Sequence, residues 1–287
     1  MKRILVTGAT GFLGSRLVEY LAEAGHEIVA QGRNIKAWTP RAVIERLEKY
    51  DLSDTELKVT EAFDCVCLLA SIQPSRTVSW ETYYMVNSKQ VLQQFISSAK
   101  QVIYVSTLAL NPRNVVPTPK NYYELSKLLG EQLLRLRKES GQFEQVSIVR
   151  FPSIIGVNHR AGIVYELCRL AKQGQPIELF DRGARIRSLI HVDDAVAVIG
   201  KLINNSNNLG FLEEFDAGSK NSMTTSELAK LIVNKTDSNS DIIFLDKTTR
   251  TTDVKVDNDK VESMLGFRAR SVEESIDLYM RELDDEI

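Results

Sequence analysis

Thr7-Gly8-Ala9-Thr10-Gly11-Phe12-Leu13-Gly14 lies between a short apolar run, KRILV at 2–6, and a segment in which Phe12, Leu13, Leu17, Val18 and Leu21 recur at helical spacing. The pattern predicts a buried strand, a tight turn and an amphipathic helix in immediate succession. Glycines at 8, 11 and 14 let the chain turn sharply, bring backbone N–H groups up to a ligand and pack the helix close on the strand. The helix N-terminus adds partial positive charge at the same place. A pyrophosphate suits such a cradle, so the chain reads as a dinucleotide binder.

Outward from this turn, strand and helix patterns alternate. HEIVAQ (26–31) reads as a second strand, followed by a helix over 41–47 and a short strand ending near Tyr50. A helix over 55–62, the strand FDCVCLLA (63–70), a long helix over 80–99 and the strand QVIYVS (101–106) come next. A helix over 122–140 leads to the strand QVSIVR (145–150). Alternation with short connections predicts a doubly wound, Rossmann-type parallel sheet covered by helices on both faces. Beyond Arg150 the rhythm changes. Phe151-Pro152-Ser153 interrupts it, a helix resumes over 162–172, and IELFD and RSLIHV read as isolated strands before a helix from Asp194. Thr224-x-x-Glu227 and Ser271-x-x-Glu274 are capping-box patterns for the last helices, and the closing RELDDEI reads as a solvated tail. The expected division is a dinucleotide-binding domain at 1–150 and a smaller mixed α/β substrate-binding portion at 151–287, some of whose elements return to the first.

The bulk properties narrow the field. At 287 residues with a formal charge of -2 and a pI near 6.0, nothing favours nucleic acid as a partner. Three cysteines lack metal-ligand spacing and suggest a reducing compartment. Cys65 and Cys67 alternate on one strand face and read as core, as does Cys168 on an amphipathic helix. His26, His159 and His191 show no metal spacing either, so no metal is expected. Asp193 and Asp194 read as a helix-start pair complementing the dipole. The chain opens directly on its first strand, leaving no room for a signal peptide, and no segment approaches a membrane span; a cytoplasmic protein is expected.

Tyr122-Tyr123-Glu124-Leu125-Ser126-Lys127 contains Tyr-x-x-x-Lys. On a helix Tyr123 and Lys127 share a face. A free phenol titrates near 10, and a neighbouring ammonium is expected to lower that value towards the range useful for acid–base catalysis. Tyr122 has only Ser126 at the same spacing, which cannot tune it electrostatically. Ser106-Thr107 ends the strand before this helix, at the sheet edge where open α/β folds place ligands. A hydroxyl there, Thr107 first and Ser106 next, could hold a carbonyl or alkoxide beside Tyr123.

With these residues in place the chain resembles the extended short-chain dehydrogenase/reductases, specifically the NAD(P)-dependent epimerase/dehydratase group that includes nucleotide-sugar epimerases. The matching stretches are TGATGFLG, YDLSD at Asp51, Ala70, Asn87, YVST, YYELSKLLGE, RFPSIIG and RSLIHVDD. The likeness runs from Met1 to about Ala197 and more thinly to the end. It implies that Tyr123 is the general acid/base, that Lys127 tunes it and holds the nicotinamide ribose, and that Thr107 positions the reacting oxygen. It further implies that Gly8, Gly11, Phe12, Leu13 and Gly14 surround the pyrophosphate and that Asp51 and Leu52 approach the adenine. Ala70 would line the cofactor path and Pro152 would sit near the nicotinamide. Arg187, by itself only a charged residue at a strand start, resembles the arginine that many members use on the substrate diphosphate, a task suited to a guanidinium. Tyr83, Tyr84, Val86, Val91 and Leu92 fit the buried face of the helix expected over 80–99, and in many relatives the corresponding helix joins a two-fold homodimer.

Cofactor and reaction are read from departures. NAD-binding versions of the turn carry an acid about twenty residues on, but here the chain has Ala30-Gln31-Gly32-Arg33-Asn34. Arg33, with Lys36, could clamp a 2′-phosphate, so NADP is expected over NAD. Leu108 and Ala109 stand where a dehydratase of this group carries an acidic pair, which argues against water elimination, and Leu110-Asn111 replaces the usual Tyr-Gly. The leading expectation is hydride transfer at a hydroxyl or carbonyl carbon of a nucleotide sugar by an epimerase-type enzyme. An NADPH-dependent reductase of a non-sugar carbonyl compound and a non-enzymatic NADP-sensing protein remain the alternatives.

Overall fold

The computed structural model describes residues 1–38, 40, 43–49, 51, 61–92, 99–109, 121–139, 143–248 and 253–284. In chain order the elements are β1 (Arg3–Thr7), α1 (Phe12–Glu23), β2 (Glu27–Gly32), β3 (Arg46–Lys49), β4 (Phe63–Leu68), α2 (Trp80–Tyr83), β5 (Ala99–Thr107), α3 (Tyr122–Glu139) and β6 (Gln145–Phe151). There follow β7 (Ser153–Ile155), α4 (Gly162–Lys172), β8 (Ile177–Leu179), β9 (Ile186–Arg187), β10 (Leu189–His191), α5 (Val192–Asn204) and β11 (Leu212–Asp216). The last are β12 (Met223–Thr224), α6 (Thr225–Lys235), β13 (Ile242–Phe244), α7 (Asp259–Leu265) and α8 (Val272–Asp284).

The chain forms two compact units, the first made of residues 1–150, 196–215 and 263–267 and the second of 151–195, 216–262 and 268–287. The first is built on a seven-stranded sheet in the order β11-β6-β5-β4-β1-β2-β3. The ladders from β3 across to β5 are parallel, with Val6 opposite both Ala30 and Cys67. Strand order reverses between β1 and β4, and at such a switch point the loops at the carboxyl ends of the strands diverge and open a crevice. One face of the sheet buries Leu5, Val29, Val66, Leu68, Val102, Tyr104 and Ile148 with Val86, Val91 and Leu134 from the covering helices. Leu17, Val18 and Leu21 seat α1. Cys65 and Cys67 are both buried, their Sγ atoms 4.0 Å apart.

In the second unit α4, α6 and α8 pack around Leu167, Cys168, Ile177, Leu179, Leu228, Ile232, Ile276 and Tyr279. Three two-stranded pairings, β7–β10, β8–β13 and β9–β12, complete it. Both capping boxes form: Thr224 and Glu227 exchange hydrogen bonds at the start of α6, and Ser271 and Glu274 do so at α8.

Several expectations need correction. Residues 43–45 are not helical, and the short strand expected to end near Tyr50 is the edge strand Arg46–Lys49, which takes in the end of the expected helix; its charges pair laterally, Arg46 with Glu61 at 2.9 Å and Glu48 with Gln31 at 2.8 Å. Of the helix expected over 55–62 only 61 and 62 are described, and neither is helical. The long helix begins at Trp80 but changes pitch, with a π turn at Tyr84–Ser88 and a 3₁₀ turn at Lys89–Leu92, and Ala99 already belongs to β5. Leu92 is exposed rather than buried. The last helix runs through Asp284, so most of the closing segment is structured. Asp194 lies in the first turn of α5 as expected, but its carboxylate accepts the Arg270 backbone N–H at 3.0 Å and pairs with the Arg270 guanidinium.

Candidate active site

The turn after β1 is held from both sides. Thr7 Oγ1 accepts the backbone N–H groups of Leu69 and Ala70 at 3.2 and 3.3 Å, tying the loop after β4 to the loop after β1. Gly8 has φ +67, and a Cβ there would stand 2.7 Å from the Ala70 Cα. Gly11 N–H donates to the Gly8 carbonyl at 2.9 Å. A side chain at Gly14 would run into the backbone of Gly8 and Ala9, so helix and turn touch backbone to backbone. Gly11, the N-cap of α1, offers no side-chain acceptor, and the first helical turn, which includes Phe12 and Leu13, contains no acid. A helix start with no side-chain acceptor or acid of its own fits a pyrophosphate.

At the end of β2, Gly32 lies against the Thr10 side chain, and Arg33 and Lys36 are exposed just beyond. Gln31 is buried and donates to Glu48, which also pairs with Arg46 at 2.6 Å. Asp51 is partly buried, whereas Leu52 lies outside the described residues.

The second cluster joins β5 to α3. Thr107 Oγ1 accepts the Ala109 N–H at 3.2 Å and is hydrogen-bonded with the Tyr123 hydroxyl. Ser106, beside it, is buried, and its hydroxyl has no hydrogen-bond partner among the described residues. Tyr123 lies in the first turn of α3 and Lys127 one turn further on. Ser126 Oγ donates to the Tyr123 carbonyl at 2.7 Å and accepts from Asn87 Nδ2 at 2.9 Å, linking this turn of α3 to the π turn. Asn87 in turn accepts the Ile72 N–H at 2.8 Å.

The electrostatics differ from the sequence expectation. Burial pushes the Tyr123 phenol up to about 12, the hydrogen bond with Thr107 works against that rise, and the charge of Glu124 adds to it. Burial also pushes the Lys127 ammonium down to about 7, opposed by Glu131. In the protein alone the tuning cation is itself partly neutral near pH 7, so desolvation dominates the phenol.

Residues 4–218 match the NAD dependent epimerase/dehydratase family. The chain belongs to that family. An uncharacterized UDP-glucose epimerase, YtcB, of Bacillus subtilis (strain 168) is 26% identical over 246 residues, 74% of this chain and 77% of the other. A 2'-dehydrokanamycin reductase of Streptomyces kanamyceticus is 26% identical over 221 residues, 73% of this chain and 60% of that protein. The crystal structure of UDP-glucuronic acid 4-epimerase from Bacillus cereus, in complex with UDP-glucuronic acid and NAD, shares the fold with a TM-score of 0.81 at 19% identity, covering 99% of this chain and 100% of that one.

In this family member the remaining expected residues lie in the second unit. Pro152 follows β6 and packs beside Gly218. Arg187 ends β9, half-buried, and its Nε donates to Thr225 Oγ1 at 3.3 Å; burial lowers its pKa. His191 and Asp193, at the junction of β10 and α5, come together with Glu282 of α8, far from them in sequence. Both imidazole nitrogens have protein partners, the Asp193 N–H at Nδ1 and the Glu282 carboxylate at Nε2, each at 3.3 Å. No helix among the described residues is long and apolar enough to cross a membrane. Sequence reasoning gave no role to Glu131, Arg135, Arg150, Glu214 or Tyr104. The Glu131–Arg135 spacing is readable on a helix, but Arg150, Glu214 and Tyr104 reach the site through tertiary contacts alone.

Proposed function

We propose that this family member is an NAD(P)-dependent oxidoreductase of the epimerase type acting on a hydroxyl or carbonyl carbon of a nucleotide sugar. The observation that carries this reading is the Tyr123 hydroxyl hydrogen-bonded with Thr107, with Lys127 one turn along α3. Names of relatives such as the UDP-glucose epimerase support the substrate class. Gly8, Gly11, Phe12, Leu13 and Gly14 would receive the pyrophosphate, Asp51 and Leu52 the adenine, Ala70 and Pro152 the path to the nicotinamide, and Lys127 its ribose. A bound nicotinamide supplies a two-electron acceptor and donor. Tyr123 takes the proton from the sugar hydroxyl during oxidation and returns one to the carbonyl oxygen during reduction. Thr107 holds that oxygen in reach, and protonated Lys127 stabilises the phenolate. Arg187 would hold the substrate diphosphate. Arg33, with no acid among residues 30–34, supports NADP over NAD. A two-fold homodimer through the helix at 80–92 accompanies this reading, and sedimentation at working concentration checks it.

A carbonyl reductase is the second reading, favoured by one observation: burial keeps the Tyr123 phenol protonated at neutral pH, the form that must deliver a proton to a carbonyl oxygen. The test pairs cofactor titrations with turnover of a panel of UDP-, dTDP-, GDP- and ADP-sugars, watched at the nicotinamide absorbance and by product analysis. Interconversion of two sugars without net cofactor change supports the epimerase. Stoichiometric NADPH consumption supports the reductase, and cofactor binding that Tyr123→Phe leaves intact, with no turnover by either protein on sugars or simple carbonyl compounds, points to a sensor.

A further inference from the structure

Lys127 is 2% exposed, and among the described residues no carboxylate lies within ion-pair distance of it. The acid one turn along the same helix, Glu131, is already taken: Arg150 donates to it at 2.9 and 2.6 Å and Arg135 at 3.1 Å. What the ammonium meets instead is an aromatic face. Lys127 Nζ stands 4.4 Å from the centroid of the Tyr104 ring. Tyr104, on β5, is fully buried, and its hydroxyl donates to the Asn87 carbonyl at 2.8 Å, which fixes the ring between sheet and helices. Gly130 on α3 leaves room for that hydroxyl, because a Cβ there would collide with it. Rings attract cations through their negative faces, most strongly where water is excluded.

We propose that Tyr104 is a positioning residue for Lys127: its ring face holds the ammonium one turn along α3 from Tyr123 and keeps it charged. This rests on the reading of Lys127 as the partner of Tyr123. The titratable groups that act on Lys127 are Glu131 on α3 and Tyr104 on β5; Tyr123, one turn earlier on α3, is acted on by Glu124 and by Tyr83 on α2. Burial already draws the Lys127 proton affinity down to about 7, so losing the ring leaves the amine neutral at pH 7.

The experiment follows the Nζ resonance of Lys127 in ¹⁵N-lysine-labelled full-length protein through a pH titration, the signal being assigned by its loss in Lys127→Met. Tyr104→Phe keeps the ring and should leave the midpoint within about 0.3 pH unit of wild type, whereas Tyr104→Leu should lower it by about one unit, tenfold in proton affinity. Should the leucine variant not fold, 3,4,5-trifluorophenylalanine at position 104 keeps the shape while weakening the ring face, and should lower the midpoint in the same direction. Equal midpoints for the phenylalanine and fluorinated proteins overturn the proposal, as does a phenylalanine shift as large as that of leucine. The titration needs neither cofactor nor substrate. A failure of the hydride-transfer reading would therefore appear as absent turnover with the midpoints still ordered, and a failure of the Tyr104 proposal as the reverse.

Discussion

One turn apart on α3, two buried charges meet opposite treatment. Glu131 is enclosed by Arg150 and Arg135, and both arginines continue to Glu214 at 2.7 and 2.5 Å, closing a ring of four charges. Lys127 is as deeply buried and receives an aromatic face but, among the described residues, no carboxylate at ion-pair distance. The carboxylate side is a structural tie between α3, β6 and β11. The ammonium side is held in a state that costs stability, a pattern characteristic of sites that must move protons. The same helix therefore carries a satisfied end and a poised end, and the proposed chemistry draws on the poised one.

The largest expected effect tests that assignment. Tyr123→Phe should lower turnover by about 10³-fold or more while cofactor affinity changes by less than about threefold; steady-state rates and cofactor titration measure the two separately. Next comes the contrast itself. Glu131→Gln leaves Arg150 without its buried partner and should lower unfolding stability by about 3 kcal/mol in urea. Lys127→Met should instead raise stability at pH 7, by about 2 kcal/mol, because it removes an uncompensated buried charge. Equal losses from both substitutions would erase the distinction between the two ends.

The pH dependence sharpens it. Lys127 titrates near 7 when folded and at 10.5 when free, so between those values the unfolded chain binds the extra proton. Its penalty on folding is therefore complete below about pH 7 and is relieved as pH rises towards 10.5. The advantage of Lys127→Met should shrink over that window, as paired urea titrations at pH 7 and 9.5 would record.

How much of this was legible in the chain depends on how local the cause was. The turn at Gly8, Gly11 and Gly14 is readable because strand, turn and helix are contiguous and each glycine answers a steric demand within a few residues or at Ala70. Tyr123 and Lys127 share a face by helical spacing alone. The tuning of that pair was misread because spacing carries no information about burial, and burial decides both shifts. The expected helix ran on into the start of β3, at Arg46 and Leu47, because Arg46 and Glu48 find their partners across the sheet at Glu61 and Gln31, while the short strand ending near Tyr50 was legible. Tyr104 and Arg150 were missed for the same reason, since sheet register brings them to α3. In the second unit no local pattern identifies a sugar, and Arg187 is singled out by the resemblance of RSLIHVDD to the family rather than by the chemistry of its neighbours; the structure places it at the end of β9.

The smallest expected effect concerns the cofactor end. Arg33→Ser should weaken NADP binding by about tenfold and leave NAD binding within about twofold, the loss of one charge-assisted phosphate contact. Matching losses for both cofactors would move Arg33 from 2′-phosphate recognition to a general role.

The central claim is that a buried phenol, positioned by Thr107 and Lys127, exchanges protons with a sugar oxygen during hydride transfer. Stopped-flow absorbance of wild-type protein and Tyr123→Phe, each loaded with NADP and mixed with the sugar nucleotides that the wild type turns over, addresses it directly. The account predicts a transient reduced-nicotinamide signal with the wild type and none with the variant at equal cofactor occupancy. A transient of the same rate and amplitude in Tyr123→Phe would contradict it.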